Sequence, residues 1–447
     1  MKFQYDPSFA VNDDLARDLL KITEDSLAQT AAGYDEEAAE PAPGEVELPL
    51  RGADAIVAHI EINNRHGVGV LLERLFGRYR NVLSVRSENH FGGRQDFGDL
   101  DLCVSHESSS RDGWAASVRE ALGDNTVARV LCVPYYPDDV RNALALTSIF
   151  DCPLATYLMD DQNVCSDGIS DELMSELLER SSLRLAISAE LATCYEAKYG
   201  HRMWLMPPVV PARLIPPAPL ASEECLAQPK TGAILGNIWG QRWLDLLRET
   251  VRESGVKLRW YSTNHLRYLS GSPESLAKDG IEIPLGPPLP DAELVELLRR
   301  TAFVVVPTGT LDEEDDRKFI AQLSLPSRIP FILATSQTPF LVLGSEQTGA
   351  ARFVREMETG VVAPYERRAF REAVARITEP ECNTKLRRRA LALSGRFADA
   401  GAAEWIWQSL DLGQPFDGRH EEWMRKPRPD IESLAKGRQA GRGLDGK

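Results

Sequence analysis

Phe303-Val304-Val305-Val306 is a short apolar run, rich in β-branched residues and bounded by Pro307 and Gly309. It reads as a buried strand. A charged loop follows, Asp312-Glu313-Glu314-Asp315-Asp316-Arg317-Lys318, then Ser324-Leu325-Pro326-Ser327-Arg328, then an apolar segment ending Pro339-Phe340-Leu341-Val342-Leu343-Gly344. Ser327 has the chemistry of a helix N-cap, a hydroxyl able to accept a bond from an unpaired first-turn N–H. Pro330 would then occupy the third helical position, where a missing N–H costs little. A helix start beside Arg328 would join free amides, the positive end of a dipole and a guanidinium, a set suited to a nucleotide diphosphate. The same residues also read as an ordinary capped helix between two strands.

Outward from this stretch, short apolar runs alternate with amphipathic helices. Strands are expected at 55–60, 82–85, 128–133, 154–158 and 183–187, and helices at 68–76, 113–122, 138–150, 170–180 and 189–199. Such alternation gives a parallel sheet covered on both faces. It defines a first Rossmann-like domain over 50–206. Residues 207–230 are proline-rich, with Pro-Pro pairs at 207–208 and 216–217, and read as a linker. The alternation restarts at Thr231: a strand 233–235, the segment Gly236-Asn237-Ile238-Trp239-Gly240, a helix 241–253, a strand 256–261 and a helix 291–300. A second Rossmann-like domain thus runs over 231–400. The fold class is α/β, two doubly wound domains facing across a cleft at the carboxyl ends of their strands. A helix over 401–418 is expected to cross back to the first domain, and 419–447 to form a mobile tail.

Residues 1–49 carry twelve acidic and three basic side chains. They read as an acidic helical appendage followed by a flexible linker. The whole chain has 447 residues and a net charge of -16, which argues against broad nucleic-acid binding. Seven scattered cysteines, Cys103, Cys132, Cys152, Cys165, Cys194, Cys225 and Cys382, form no CxxC pair and no zinc spacing. With no signal peptide and no membrane-length apolar run, they point to a reducing, cytoplasmic setting. No P-loop, HExxH motif or Ser-His-Asp order is present.

The span from about residue 54 to 412 resembles the GT-B glycosyltransferases, most closely family 4, whose members retain anomeric configuration. Asn64-Arg65-His66-Gly67-Val68-Gly69 is similar to the family's glycine-bearing loop, and Tyr157-Leu158-Met159-Asp160-Asp161 to a strand-end acidic motif of some members. Leu185-Ala186-Ile187-Ser188, with Leu191 and Tyr195, resembles the element closing the first domain. Gly286-Pro287, the helix at 291–300, Val306-Pro307 and Leu325-Pro326-Ser327-Arg328 follow in the family's order. Two departures stand out. Phe331 falls where the family usually has a Glu that contacts donor ribose or sugar, and Arg328 stands where many relatives have Lys. The acids at 312–316 are candidates to replace that carboxylate.

The resemblance implies transfer of a sugar from a nucleotide-sugar donor to the hydroxyl of a glycan, lipid-linked or small-molecule acceptor, with retention and with no metal or cofactor. A non-catalytic nucleotide-sugar or glycan binder, and a nucleotide-sugar epimerase, are the alternatives. Gly236, Asn237, Gln241, Arg242, Ser327 and Arg328 are the donor-side candidates, since cations and helix starts stabilise a departing diphosphate. For Arg242 a surface salt bridge is the rival reading. Arg65, Gly67 and Gly69 form the acceptor-side loop, whose glycines allow close backbone approach or simply a tight turn. His66, Asp160 and Asp161 are the catalytic candidates: His66 could donate to a sugar hydroxyl or phosphate, and a carboxylate could orient the acceptor or act as base. A structural histidine and loop-capping carboxylates are the rivals. Trp239 either stacks on a base or sugar or is simply packed.

Overall fold

The structure is a computed structural model and describes residues 48–434, except 64–65, 91–96, 109, 263–265, 267–268 and 287. The appendage expected over 1–49 therefore lies, apart from its last two residues, outside the described residues. From Pro49 onward the chain forms one compact unit built on two parallel sheets.

The first sheet contains β1 (Ala53–Ala58), β2 (Val82–Arg86), β3 (Leu100–Cys103), β4 (Val127–Cys132), β5 (Leu154–Leu158), β6 (Leu183–Ala186) and β7 (Trp204–Leu205). Its order is β3-β2-β1-β4-β5-β6-β7. The second contains β8 (Thr231–Leu235), β9 (Lys257–Tyr261), β10 (Ile281–Glu282), β11 (Val304–Pro307), β12 (Phe340–Leu343) and β13 (Gly360–Ala363). Its order is β10-β9-β8-β11-β12-β13. Both are doubly wound, as expected, and in both the strand order reverses beside the first strand. The crevice at the carboxyl end of that strand is where such folds take ligands.

The strands read clearly because both faces are covered. β2, β5, β11 and β12 are buried throughout, so helices on both sides demand continuous apolar runs rather than alternation. The strands that the sequence concealed are the two-residue β7 and β10 and the longer β3. Its Leu-Asp-Leu-Cys carries Asp101, which pairs with Arg86 of adjoining β2, both side chains 6% exposed. An ion pair between neighbouring strands thus replaces an apolar contact and hides the pattern.

Two connections differ from expectation. The apolar stretch after the acidic loop begins with an additional helix, Lys318–Leu323. The expected tail over 419–447 is partly built into the body: Ile431 is fully buried, and the helix Glu421–Met424 puts Met424 into the first domain's core. Arg425 donates to Met203 O, and Arg428 contacts both Glu190 and Glu356. Apolar anchors at 424 and 431 and paired arginines hold a segment whose composition alone reads as solvated. Residues 435–447 lie outside the described residues.

The helix Ala402–Leu412 packs on the first domain, where Trp407 lies 5.3 Å from Phe76 and under the Arg129 guanidinium at 4.3 Å. Between the sheets, Val210 donates to Phe397 O and accepts from Asp399 N, tying the proline-rich segment to the end of the second domain. Among the described residues, no helix is long and apolar enough to cross a membrane.

Candidate functional site

The segment after β1 faces, across the domain junction, Ser327 and its neighbour Arg328, which reaches the carboxyl end of β8. After β1 the chain turns through Asn63 and His66 into the helix Gly67–Phe76. His66 is the N-cap: Nδ1 accepts from Gly69 N at 3.0 Å, and Nε2 donates to Glu61 O at 2.7 Å. Burial holds its pKa below the ordinary value, so the ring is neutral and both nitrogens are occupied. The structural reading of His66 therefore prevails over the catalytic one. Gly69 is dictated by space, because a Cβ there would lie 2.5 Å from both Asn63 O and His66 Nε2. Gly67 faces the second domain, where an added Cβ would sit 3.6 Å from Ser327 Oγ. Arg65 lies outside the described residues.

On the second domain, β8 is followed by Gly236, whose φ of +76° suits glycine. Arg328 reaches this turn and donates from Nη1 to Leu235 O at 2.9 Å and Asn237 O at 2.5 Å. Its Nε is buried without a partner, and among the described residues no carboxylate pairs with it. Burial lowers its pKa to about 10. Arg387 makes an instructive contrast. It is equally depressed, to about 10, but Nε, Nη1 and Nη2 all donate, to Asn383 Oδ1, Arg299 O and Thr301 O. Arg387 is a completed structural bracket, whereas Arg328 is a cation with unused donors.

Ser327 differs from its expected role. It already has helical angles, φ −57° and ψ −23°, and its side chain makes no capping bond to the helix Arg328–Thr335. Its hydroxyl instead faces Gly67. Asn237 accepts from Ser262 Oγ at 2.6 Å, and Gln241 exchanges bonds with Ser270 backbone and Asp245, so both organise the rim. Arg242 is the rival reading realised: it pairs with Asp312 at 2.9 Å and with Glu314. Those acids are thereby used, and Asp315 is buried, binding Trp243 Nε1 and the amides of Leu311 and Arg317. None of the three is left to replace the carboxylate absent at Phe331. Phe331 is itself buried under Arg74 of the first domain, whose guanidinium stands 5.1 Å from the ring centre. Trp239 is 48% exposed on the loop after β8, a face open for stacking.

The acidic pair after β5 also differs from a base. Asp161 accepts from the amides of Asn163, Val164, Cys165 and Ser166 and from Tyr195 OH, which makes it the keystone of a loop. Asp160 accepts from Tyr135 OH at 2.5 Å and from Ser324 Oγ at 2.7 Å. Burial pushes its pKa up, with both hydrogen bonds opposing. Sequence patterns could not show this, because Tyr135 and Ser324 are 25 and 164 residues away. Among the described residues, no group of three or more His, Cys, Asp or Glu is arranged to hold a metal.

No protein-family profile and no curated protein matches this sequence. Solved structures do. The chain is similar to WaaG, a glycosyltransferase involved in lipopolysaccharide biosynthesis, with 14% identity and a TM-score of 0.51 over 80% of this chain and 99% of that one. Weaker likenesses include a UDP-N-acetylglucosamine 2-epimerase, at 11% identity and TM-score 0.46 over 82% of this chain and all of that one. The glycotransferase of kitacinnamycin stands at 13% and 0.44, over 81% of this chain and all of that one. The likeness to WaaG covers both sheets, so the chain has the GT-B fold.

Proposed function

We propose that this chain is a retaining glycosyltransferase that moves a hexosyl group from a nucleotide-sugar donor to an acceptor hydroxyl, without a metal. The observation that carries the reading is Arg328, a half-buried guanidinium at the carboxyl end of β8 whose enclosed Nε has no partner and which no carboxylate pairs among the described residues. An enclosed charge without a counter-ion is unfavourable, and an anion removes that penalty. A diphosphate fits: Nε and the outer edge of the guanidinium can donate, with the first turn of Arg328–Thr335 adding its dipole. Charge growing on the leaving diphosphate would strengthen these contacts in the transition state. Trp239, exposed on the loop after β8, would stack on the base, and the first domain would present the acceptor across Gly67. Free cysteines throughout the described residues fit a reducing compartment such as the cytoplasm.

A second reading, a nucleotide-sugar binder without transfer activity, is favoured by one observation: His66, Asp160 and Asp161 all have their polar atoms engaged. Transfer with retention remains chemically open, because the departing diphosphate oxygen can itself take the acceptor proton. Calorimetry with nucleoside diphosphates, alongside an assay for new glycoside from nucleotide-sugars and mixed acceptors, tests both. Arg328→Ala is expected to abolish measurable diphosphate binding while remaining folded, and unchanged affinity would remove the site. Binding without any glycoside or isomerised sugar would favour the second reading, and an isomerised sugar would identify an epimerase.

A further inference from the structure

The loop that carries Arg328 belongs to the second domain by sequence but is seated on the first. Leu323 is fully buried within the first domain's core, with Phe319 packed beside it, whereas Leu325 and Ile329 lie in the second domain's core. The chain passes from one core to the other at Ser324. At that crossing two first-domain side chains grip it. Asp160 accepts from Ser324 Oγ at 2.7 Å, and Ser188 Oγ donates to Leu323 O at 2.6 Å while capping its own helix by accepting from Leu191 N. Tyr135 OH holds the other oxygen of Asp160.

We propose that Asp160 and Ser188 are positioning residues, which set the anion site from across the domain junction by fixing the segment 323–328. This rests on the reading of Arg328 as the diphosphate contact. The segment is a stiff strut. Ser324 is extended, at φ −87° and ψ 144°, Leu325 is confined to extended angles by the proline after it, and Pro326 has a locked φ. Displacement at Ser324 therefore passes to Ser327 and Arg328 with little room for absorption. The strut also ends opposite Gly67, so the same grip sets how closely the first domain approaches the anion. Two of the first-domain motifs that resemble the family's, the 157–161 motif containing Asp160 and the element ending in Ser188, thus act on the second domain's donor loop. Their grip also gives a reason for a carboxylate that has no free oxygen.

The test uses inorganic pyrophosphate and UDP as probes, titrated calorimetrically into the full chain, with a melting curve for each variant. Ser324→Ala removes the grip and leaves Arg328, the Leu323 packing and both cores in place. Affinity for both probes is expected to fall about tenfold, and melting to fall modestly, since one hydrogen bond to a charged group is lost from the fold. Ser324→Thr, which keeps the hydroxyl, is expected to restore affinity. Asp160→Ala should weaken binding similarly, and the double variant should be no weaker than the worse single one. Wild-type affinity in Ser324→Ala would overturn the proposal while leaving the Arg328 site intact. A loss of affinity that tracks a fall in melting temperature and is not rescued by Thr would also overturn it, in favour of plain structural support. Failure of the wild type to bind either probe would instead remove the underlying reading.

Discussion

Arg328 and Arg428 both sit where the two domains meet, and they are held in opposite ways. Arg428, 9% exposed, bonds Glu190 of the first domain at 2.7 Å and Glu356 of the second at 3.0 Å. Beside it, Arg352 pairs with Asp430 and stands 3.8 Å from Glu190. A cavity of about 20 Å³, room for one water, lies against this cluster between Ser188, Phe353 and Arg428. Here every buried cation has its anion within the chain, and the C-terminal segment acts as a clasp. On the other side Arg328 has two carbonyls and, among the described residues, no anion. The difference separates the mechanical side of the junction from the ligand side: a cation with no anionic partner among the described residues is suited to an anionic ligand.

Four measurements test this contrast. The largest effect is expected at the clasp. Arg428→Met leaves Glu190 and Glu356 without their bridging cation, and stability by urea unfolding should fall by about 3–5 kcal/mol. A loss below about 1 kcal/mol would show the clasp to be ornamental. The same replacement at Arg328 should cost no more than about 1 kcal/mol, because removing an unpaired charge offsets two carbonyl bonds. Diphosphate binding should nonetheless disappear in it. Equal destabilisation at the two positions would erase the comparison, and Arg328→Lys should keep only part of the affinity, having lost the fork.

A third test concerns pH. His420, 6% exposed on the clasp side with Trp405 against its ring, has a pKa lowered by burial to about 3. With a folded value below the unfolded 6.5, its contribution to stability is present above pH 6.5 and is lost as pH falls toward 3. Relative to His420→Gln, the wild type should therefore lose about 1–2 kcal/mol between pH 7 and pH 5. A pH-independent difference between the two would place the ring's proton elsewhere. The smallest effect is expected at Arg242. Its solvent-screened pairing with Asp312 and Glu314 should add little to stability, and Arg242→Ala should leave diphosphate affinity unchanged. A large affinity loss there would move the donor site outward.

Particular residues show how far the sequence could be read. The period of the apolar runs located β2, β5, β11 and β12, because strands covered on both faces need unbroken apolar character. It missed β3, whose Asp101 is satisfied by a residue on another strand. Glycines told the truth at Gly69 and Gly236, where added side chains would meet backbone or the Arg328 guanidinium. Arg328 itself was legible as a cation beside a helix start. Ser327 was read as a cap and is not one, because the backbone there is already helical.

By itself, then, the sequence determined the two doubly wound layers and the stretch bearing the site, since hydrophobic period and turn residues act over a few neighbours. Tertiary structure alone decided which polar groups remain available. His66, Asp160, Asp161 and Arg242 are consumed by partners 2 to 164 residues distant, while Arg328 keeps an unpaired Nε. Availability depends on what a fold brings within about 3 Å of a donor or acceptor, and that distance is set by packing between elements rather than by the order of residues along the chain.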